Sequence, residues 1–287
     1  MKKHLKKRKH KNNSLRTIPA IISMLLILML LMLFLLSSLA DINFGSKPFS
    51  SIEHHQNSQS TSLDTEATTD KISEYAMSNN LSISDYPDSM IELLARNPET
   101  EEFVLNYPLN KNNRFSGSLD EYEQCSAVPL LMQWDMRWGY TPYGSDVMGL
   151  TGCGPTCLSM VAIYVLGDTT ITPSWVAKYS IEEGYCISGS GTSWSLMSDG
   201  ARDLGINAFE LPLDENRIKN ELEAGNPIIC IMGPGDFTDS GHFIVLTNYK
   251  DGKLTVNDPN SHKNSEKQWN YDDIKGQIRN LWVYKKS

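Results

Sequence analysis

The chain has 287 residues, 40 % of them apolar, which suffices for one or two domains with a real core. Its net charge of −8 conceals an asymmetry: eight of the 26 Lys and Arg lie in the first sixteen residues, MKKHLKKRKHKNNSLR, leaving 18 basic residues against 34 acidic ones afterwards. A body that acidic excludes nucleic acid as its partner.

The basic run, residues 1–16, is followed by TIPAIISMLLILMLLMLFLLSSLA, residues 17–40, which are 24 positions without a charge. A bilayer span needs about 20. Clustered Lys and Arg before the run orient the N-terminus toward the cytoplasm, so 17–40 is expected to be a transmembrane signal anchor in the cell membrane, with the body outside. Ser38, Leu39 and Ala40 offer the small residues that signal peptidase accepts, but the apolar run exceeds the roughly 7 to 15 residues of a signal peptide. An uncleaved anchor is the expectation, and release after Ala40 the alternative.

Residues 41–70 are rich in Ser, Thr, Gln and Asn and read as a flexible linker, with His54 and His55 as solvated tether residues. Residues 71–120 turn helical: Met90, Ile91, Leu93 and Leu94, then Phe103, Val104 and Leu105, follow Pro87 and Pro98, each suited to a first turn. These helices are expected to brace or cover the main domain, residues 121–287. There, a buried helix follows Cys153 and stops at Gly167; Pro173–Glu182 and Ser193–Leu204 read as two more, closed by Gly184 and Gly205. A fourth is capped by Asp214 and ended by Gly225 and Pro227. The period then changes to strand in PIICIM, HFIVLTNY, KLTVND and RNLWVY. Helices first and sheet afterwards describe an α+β domain.

The chemistry centres on GLTGCGPTCLSM, with Cys153 and Cys157 four positions apart. Zinc would need two further soft ligands at similar spacing, which the chain does not offer. A disulfide between the two would close a single helical turn, and a redox Cys-x-x-Cys has a shorter gap. A nucleophile explains more: Gly152 and Gly154 permit a tight turn, and Pro155 starts a helix whose amides point at Cys153 and stabilise a thiolate. Cys157, one turn on, reads as a small buried residue. The five cysteines, with Cys125, Cys186 and Cys230, are odd in number, so at least one thiol stays free if the rest pair. No cofactor is expected: SGSGTSW resembles a phosphate cradle only superficially and reads as a cleft loop, with Trp194 as a wall or as core. Trp134, Trp138, Tyr140 and Tyr143 read as packing more than as a ligand platform.

A thiolate needs a base, and the body offers His242 and His262. His242 opens a strand behind the flexible GPGDFTDSG, whereas His262 lies in a polar loop and reads as exposed. Asp258, on the neighbouring strand, is positioned to orient the imidazole. The hairpin between them tests this. A two-residue type I′ turn at Asp251-Gly252 pairs Lys250 with Lys253 and puts Asp258 opposite Val245, on the wrong face unless a bulge intervenes. A type I turn with Gly252 as a bulge puts Asp258 opposite Ile244, with His242 its same-face diagonal neighbour. The second turn is the expectation. An oxyanion would be held by the Cys153 amide and one side-chain amide, for which Gln133 is the upstream choice.

Gln133 in PLLMQWDMRWG, Cys153 in TGCGPTCLSM, His242 in SGHFIVLTNY and Asp258 in VNDPN together resemble the bacteriocin-processing-like cysteine peptidases of the papain-like superfamily, over residues 126–284. The resemblance implies a papain-like fold, with Cys153 as nucleophile, His242 as general base and acid, Asp258 orienting it and Gln133 in the oxyanion hole. With the helix read from residues 17–40, the expected fold is α+β, papain-like and preceded by one transmembrane helix. Well-known members cut double-glycine leaders at the cytoplasmic end of a transporter, but this chain has neither transporter helices nor a Gly-Lys-Thr/Ser loop. The expected function is a membrane-anchored, extracytoplasmic cysteine peptidase acting on a peptide or protein. Hydrolysis of cell-wall peptides or amides is the second enzymatic reading, ranked lower because such enzymes commonly orient with a histidine. A peptide-binding module without turnover, its cleft covered by the 71–107 helices, is the third.

Overall fold

The computed structural model describes residues 52–189 and 191–286. The expected basic segment and membrane span lie outside them, and among the described residues no helix is long and apolar enough to cross a membrane. The chain divides into the units Met1–Asn57 and Ser58–Ser287, the second of which holds the sheet and the helices around it.

The linker expected over 41–70 is helical from Ile52, because Ile52–Ser78 forms one helix of 27 residues. Its run has no Gly or Pro, and its last turns bury Ile72 and Ala76 among Tyr86, Met90 and Phe103. A packed turn supplies the costly nucleus, after which each added residue gains a hydrogen bond. The helices Asp88–Arg96 and Glu101–Leu105 complete this brace. It docks through Phe103, which stacks on Tyr140 at 4.6 Å while its carbonyl accepts the Tyr140 hydroxyl at 2.9 Å.

The main domain is built on a six-stranded antiparallel sheet. Two short hairpins precede or flank it, β1 (Pro142–Tyr143) with β2 (Asp146–Val147) and β3 (Cys186–Ile187) with β4 (Gly191–Thr192). The sheet comprises β5 (Asn207–Glu210), β6 (Ile228–Met232), β7 (His242–Lys250), β8 (Lys253–Asn257), β9 (Gln268–Asn270) and β10 (Ile278–Lys285), in the order β5-β10-β6-β7-β8-β9. The side-chain period of two divides its faces. Ile229, Ile231, Phe243, Val245, Trp282 and Tyr284 pack toward the central helix Cys153–Leu166, while Ile228, Cys230, Met232, Ile244 and Leu246 meet Ile218 and Leu222 of the helix Glu215–Glu223. Burial on both faces is why PIICIM and HFIVL read as continuous apolar runs. The central helix ends at Gly167, whose φ of 70° supplies the left-handed cap.

Expected helix ends at Pro173, Glu182 and the Asp214 cap are observed. Ser193–Leu204 is instead a π-helical turn, Leu196–Gly200, running into a short α-helix, Ala201–Asp203. All five cysteines are free thiols.

Candidate active site

Cys153 is the first residue of the central helix, with Gly152 as its cap. Neither flanking glycine takes a positive φ, contrary to the tight-turn expectation. Close approach explains them instead. A Cβ on Gly154 would come within 2.6 Å of Thr192 Oγ1, so only glycine lets the β3–β4 hairpin lie against the central helix beside Cys153. Tyr143, fully buried, holds that hairpin through its hydroxyl, 2.8 Å from Thr192 Oγ1 and 2.9 Å from Ser180 Oγ.

His242 enters from β7, paired with Met232 at the end of β6. Its Nε2 lies 2.7 Å from Asp258 Oδ1, which leaves Nδ1 as the nitrogen available to Cys153. The hairpin that makes this possible differs from the expected one. Lys250 pairs with Lys253, and Asp251 and Gly252 have φ of 53° and 77°, the two left-handed residues of a type I′ turn. A bulge at Thr247 then shifts the register, so that Val245 pairs with Asn257 and the next residue, Asp258, comes level with Ile244. The bulge thus restores the same-face neighbourhood that the turn alone would have lost.

Asp258 is 1 % exposed and His242 7 %, so neither could hold a charge without its partner. Asp258 Oδ1 also accepts the Asn260 amide at 2.9 Å, and Oδ2 accepts Asn264 Nδ2 at 2.8 Å. Burial pushes the Asp258 carboxyl up, but His242 and these two donors outweigh it and hold it below the usual carboxylate value. For His242, burial works against the imidazolium, and the Asp258 charge and hydrogen bond together with Cys153 raise it above the ordinary 6.5. Burial likewise raises the Cys153 thiol, yet His242 and the backbone amides of Phe243 and Gly154 prevail and hold it below the ordinary 9.0. All three shifts favour the charged pair, a thiolate beside an imidazolium, over the neutral one. Cys157 and Cys230, fully buried without such partners, are pushed upward by desolvation.

Gln133 is buried, its amide N–H donating to the Pro259 carbonyl at 2.7 Å and its Nε2 to the Gly149 carbonyl at 2.9 Å. It therefore ties the residue after Asp258 to the segment leading into Cys153. Its Oε1 is buried with no partner, and turning the amide over would set that oxygen against the Gly149 oxygen. The second Nε2 hydrogen remains uncommitted. Gln133 is not among the residues lining the cleft.

That cleft, about 380 Å³, opens over Cys153 between Thr192 and Trp194 on one side and Met232, Gly241 and Phe243 on the other. Trp194 is a half-exposed wall. No described residue before Leu150 lines it, so the brace does not cover the sulfur. Among the described residues no cluster of His, Cys, Asp or Glu has the arrangement of a metal site.

Residues 125–287 match the family model described as the Peptidase_C39 like family. The chain belongs to this family. Among solved structures, a candidate C39-like peptidase from Bacillus anthracis is similar at 16 % identity and TM-score 0.40, over 56 % of this chain and 95 % of that one. The peptidase domain of Streptococcus ComA, a bifunctional ABC transporter involved in a quorum-sensing pathway, is similar at 17 % identity and TM-score 0.37, over 48 % of this chain and 93 % of that one. No curated protein matches.

The C39-like domain begins at Cys125, so the brace lies outside it, yet it grips the loop that presents Asp258. Asn97 Nδ2 donates to the Asn260 carbonyl at 2.7 Å; Glu99 accepts the Ser261 hydroxyl at 2.8 Å and the His262 amide at 2.7 Å. His262 is exposed, as expected, with its ring edge-on to Trp134. Trp138, Tyr140 and Tyr143 are core residues. Asn264 and Glu99 are the residues sequence reasoning missed. For Asn264 a signal existed: Ser261 caps the short helix His262–Glu266, which places the residue three positions on beside the cap. For Glu99, whose partners lie more than 160 positions away, none did.

Proposed function

We propose that the chain is a thiol-dependent peptidase with Cys153 as nucleophile, His242 as acid and base, Asp258 as its orienting partner and Gln133 as an oxyanion donor. Family membership points to a cysteine peptidase, and the observation that carries the assignment of residues is the 2.7 Å contact of His242 with Asp258 beside Cys153 at the floor of an open cleft. The Cys153 thiolate attacks the scissile carbonyl carbon, forming a C–S bond and an oxyanion, which the Cys153 amide stabilises, the Nε2 hydrogen of Gln133 behind the cleft lining being the proposed second donor. The imidazolium gives its proton to the leaving nitrogen, the C–N bond breaks, and the amine departs. His242, now neutral, takes a proton from water, whose oxygen attacks the thioester; the C–S bond breaks and the carboxylic product leaves. Asp258 keeps the imidazolium in place throughout.

The charge pattern of residues 1–40 supports anchoring by 17–40 with the domain outside the cell. An open cleft and a Cys153 thiol lowered by His242 favour turnover over mere binding. The test is labelling of the detergent-solubilised full chain with an active-site-directed epoxide, followed by mass mapping. Stoichiometric modification of Cys153, lost in His242→Ala, supports the assignment; modification confined to Cys125 or Cys186 overturns it. Parallel assay on unstructured polypeptide and on purified cell wall separates a peptidase of proteins from a cell-wall hydrolase, and protease protection in intact cells tests the outward orientation.

A further inference from the structure

The lining of the cleft includes a group that bond cleavage does not use. Among the described residues lining the cleft, Arg279 is the one basic side chain and none is a carboxylate; besides the Cys153 sulfur, its neighbours there, Trp194, Ile231, Met232, Ser240 and Phe243, are neutral. Its place is set by a second β-bulge. β10 pairs Ile278 with Met232 and Asn280 with Ile231, leaving Arg279 as the extra residue between two consecutive partners. A bulge of this kind re-aims a side chain, and bulges gather beside active sites for that reason. The guanidinium lies flat against the backbone at Gly233, where a Cβ would come within 2.3 Å of its Nε and 2.6 Å of its Cζ. One donor, Nη1, is anchored on the Gly276 carbonyl at 2.9 Å.

Nothing in the described part of the chain neutralises this cation. No described Asp or Glu lies within ion-pairing distance of Arg279, in a chain that after residue 16 has 34 acidic residues to 18 basic ones. Arg279 is solvent-exposed at the cleft edge, and a planar fork of donors with most of its hydrogens unused there is matched by a carboxylate.

We infer that Arg279 forms a subsite for a substrate carboxylate close to the scissile bond, either the side chain of Asp or Glu or the free C-terminus of a short peptide. The inference rests on the peptidase reading, and deepens it by naming the substrate class as anionic peptides. An acidic body repels such peptides at long range, so selection falls to this one contact.

Matched peptidyl epoxides with Asp, Asn or Lys next to the reactive group, and a further Asn pair ending in a free carboxylate or a carboxamide, measure this on the full chain. Each rate of Cys153 alkylation is divided by the rate with iodoacetamide on the same protein. The subsite predicts an Asp-over-Asn or carboxylate-over-carboxamide ratio of about tenfold, the size expected of one charge-assisted pair in a half-open cleft. Whichever ratio is large identifies the source of the carboxylate. Arg279→Gln is expected to bring that ratio to about one, Arg279→Lys to keep part of it, and Arg279→Glu to favour the Lys probe. Prompt iodoacetamide reaction at Cys153 with both ratios near one overturns the subsite and leaves the peptidase reading standing. Failure of Cys153 to react with iodoacetamide overturns the peptidase reading, and the subsite with it.

Discussion

Replacing Glu99 by Ala removes the acceptor that holds the loop after Asp258. Two good hydrogen bonds disappear, from the Ser261 hydroxyl at 2.8 Å and the His262 amide at 2.7 Å, and a long third from the Lys263 amide at 3.4 Å. Bonds to a charged group contribute roughly 1.5 to 3 kcal/mol each when buried. Here the carboxylate is half-exposed and water replaces part of the loss, so the pair together contributes about 2 kcal/mol. The effect on chemistry follows from what the loop carries. Asn260 and Asn264 both donate to Asp258 from within it. If the loop loosens, Asp258 is held less firmly, His242 loses part of what raises it, and the Cys153 thiolate forms at higher pH. Urea unfolding of the full chain should show the stability loss, and the pH profile of iodoacetamide alkylation should move its acid limb toward the ordinary thiol range, with Glu99→Gln intermediate in both. A Glu99→Ala chain that loses stability but keeps its pH profile would show that the brace supports the fold and not the site; no change in either would refute the clamp altogether.

Asp258→Asn leaves the His242 ring with a neutral partner, so its value falls, and thiolate formation at neutral pH is expected to drop at least tenfold, read as the rate of Cys153 alkylation. The same pair makes stability pH-dependent. Asp258 is lowered in the fold, so its contribution is present above the unfolded value of 3.8 and is lost as pH falls through the folded one; His242 is raised, so its contribution is present below 6.5 and is lost as pH rises through its folded value. Cys153 is also lowered in the fold, so its contribution grows as pH rises to 9.0 and offsets the His242 loss over that window. Unfolding free energy should therefore decline below the unfolded Asp258 value and again above 9.0, and in His242→Ala the alkaline decline should shrink. Gly154→Ala drives a methyl into Thr192 and should cost about 1 to 3 kcal/mol by thermal or urea unfolding, whereas no cost would mean that the β3–β4 hairpin moves freely. Cys157→Ala should leave epoxide labelling of Cys153 intact, because Cys157 is buried and its thiol stays protonated.

The elements that bury a face were legible from spacing alone. The central helix, the Asp214-capped helix and the strands β6, β7, β8 and β10 follow from apolar period, caps and Gly stops. β5 and β9, with mixed polar sequences NAFE and QWN, were not, because as the outermost strands their identity comes from pairing and not from pattern. The helix from Ile52 was hidden for a related reason: a polar composition says nothing of the packed turn at Ile72 and Ala76 that extends it. The residues proposed as nucleophile, base and orienting acid could be named from local chemistry, and the common face of His242 and Asp258 depended on the Lys250–Lys253 hairpin. Turn residues were compatible with two registers, and a bulge at Thr247, which no local signal announces, produced the required pairing by the other route. Asn97 and Glu99 were beyond reach because their function is a contact across the fold.

The central claim is that His242 and Asp258 together lower Cys153 below the ordinary thiol value and so favour its thiolate. The rate of its alkylation by iodoacetamide in the full chain, followed from acid to alkaline pH with mass mapping of the modified residue, measures this directly. A profile that rises well below the ordinary thiol value of 9.0, and moves up to that value in His242→Ala, is the predicted result. A parent chain whose Cys153 reacts only as the ordinary thiol titrates, with no change on replacing His242, would contradict it.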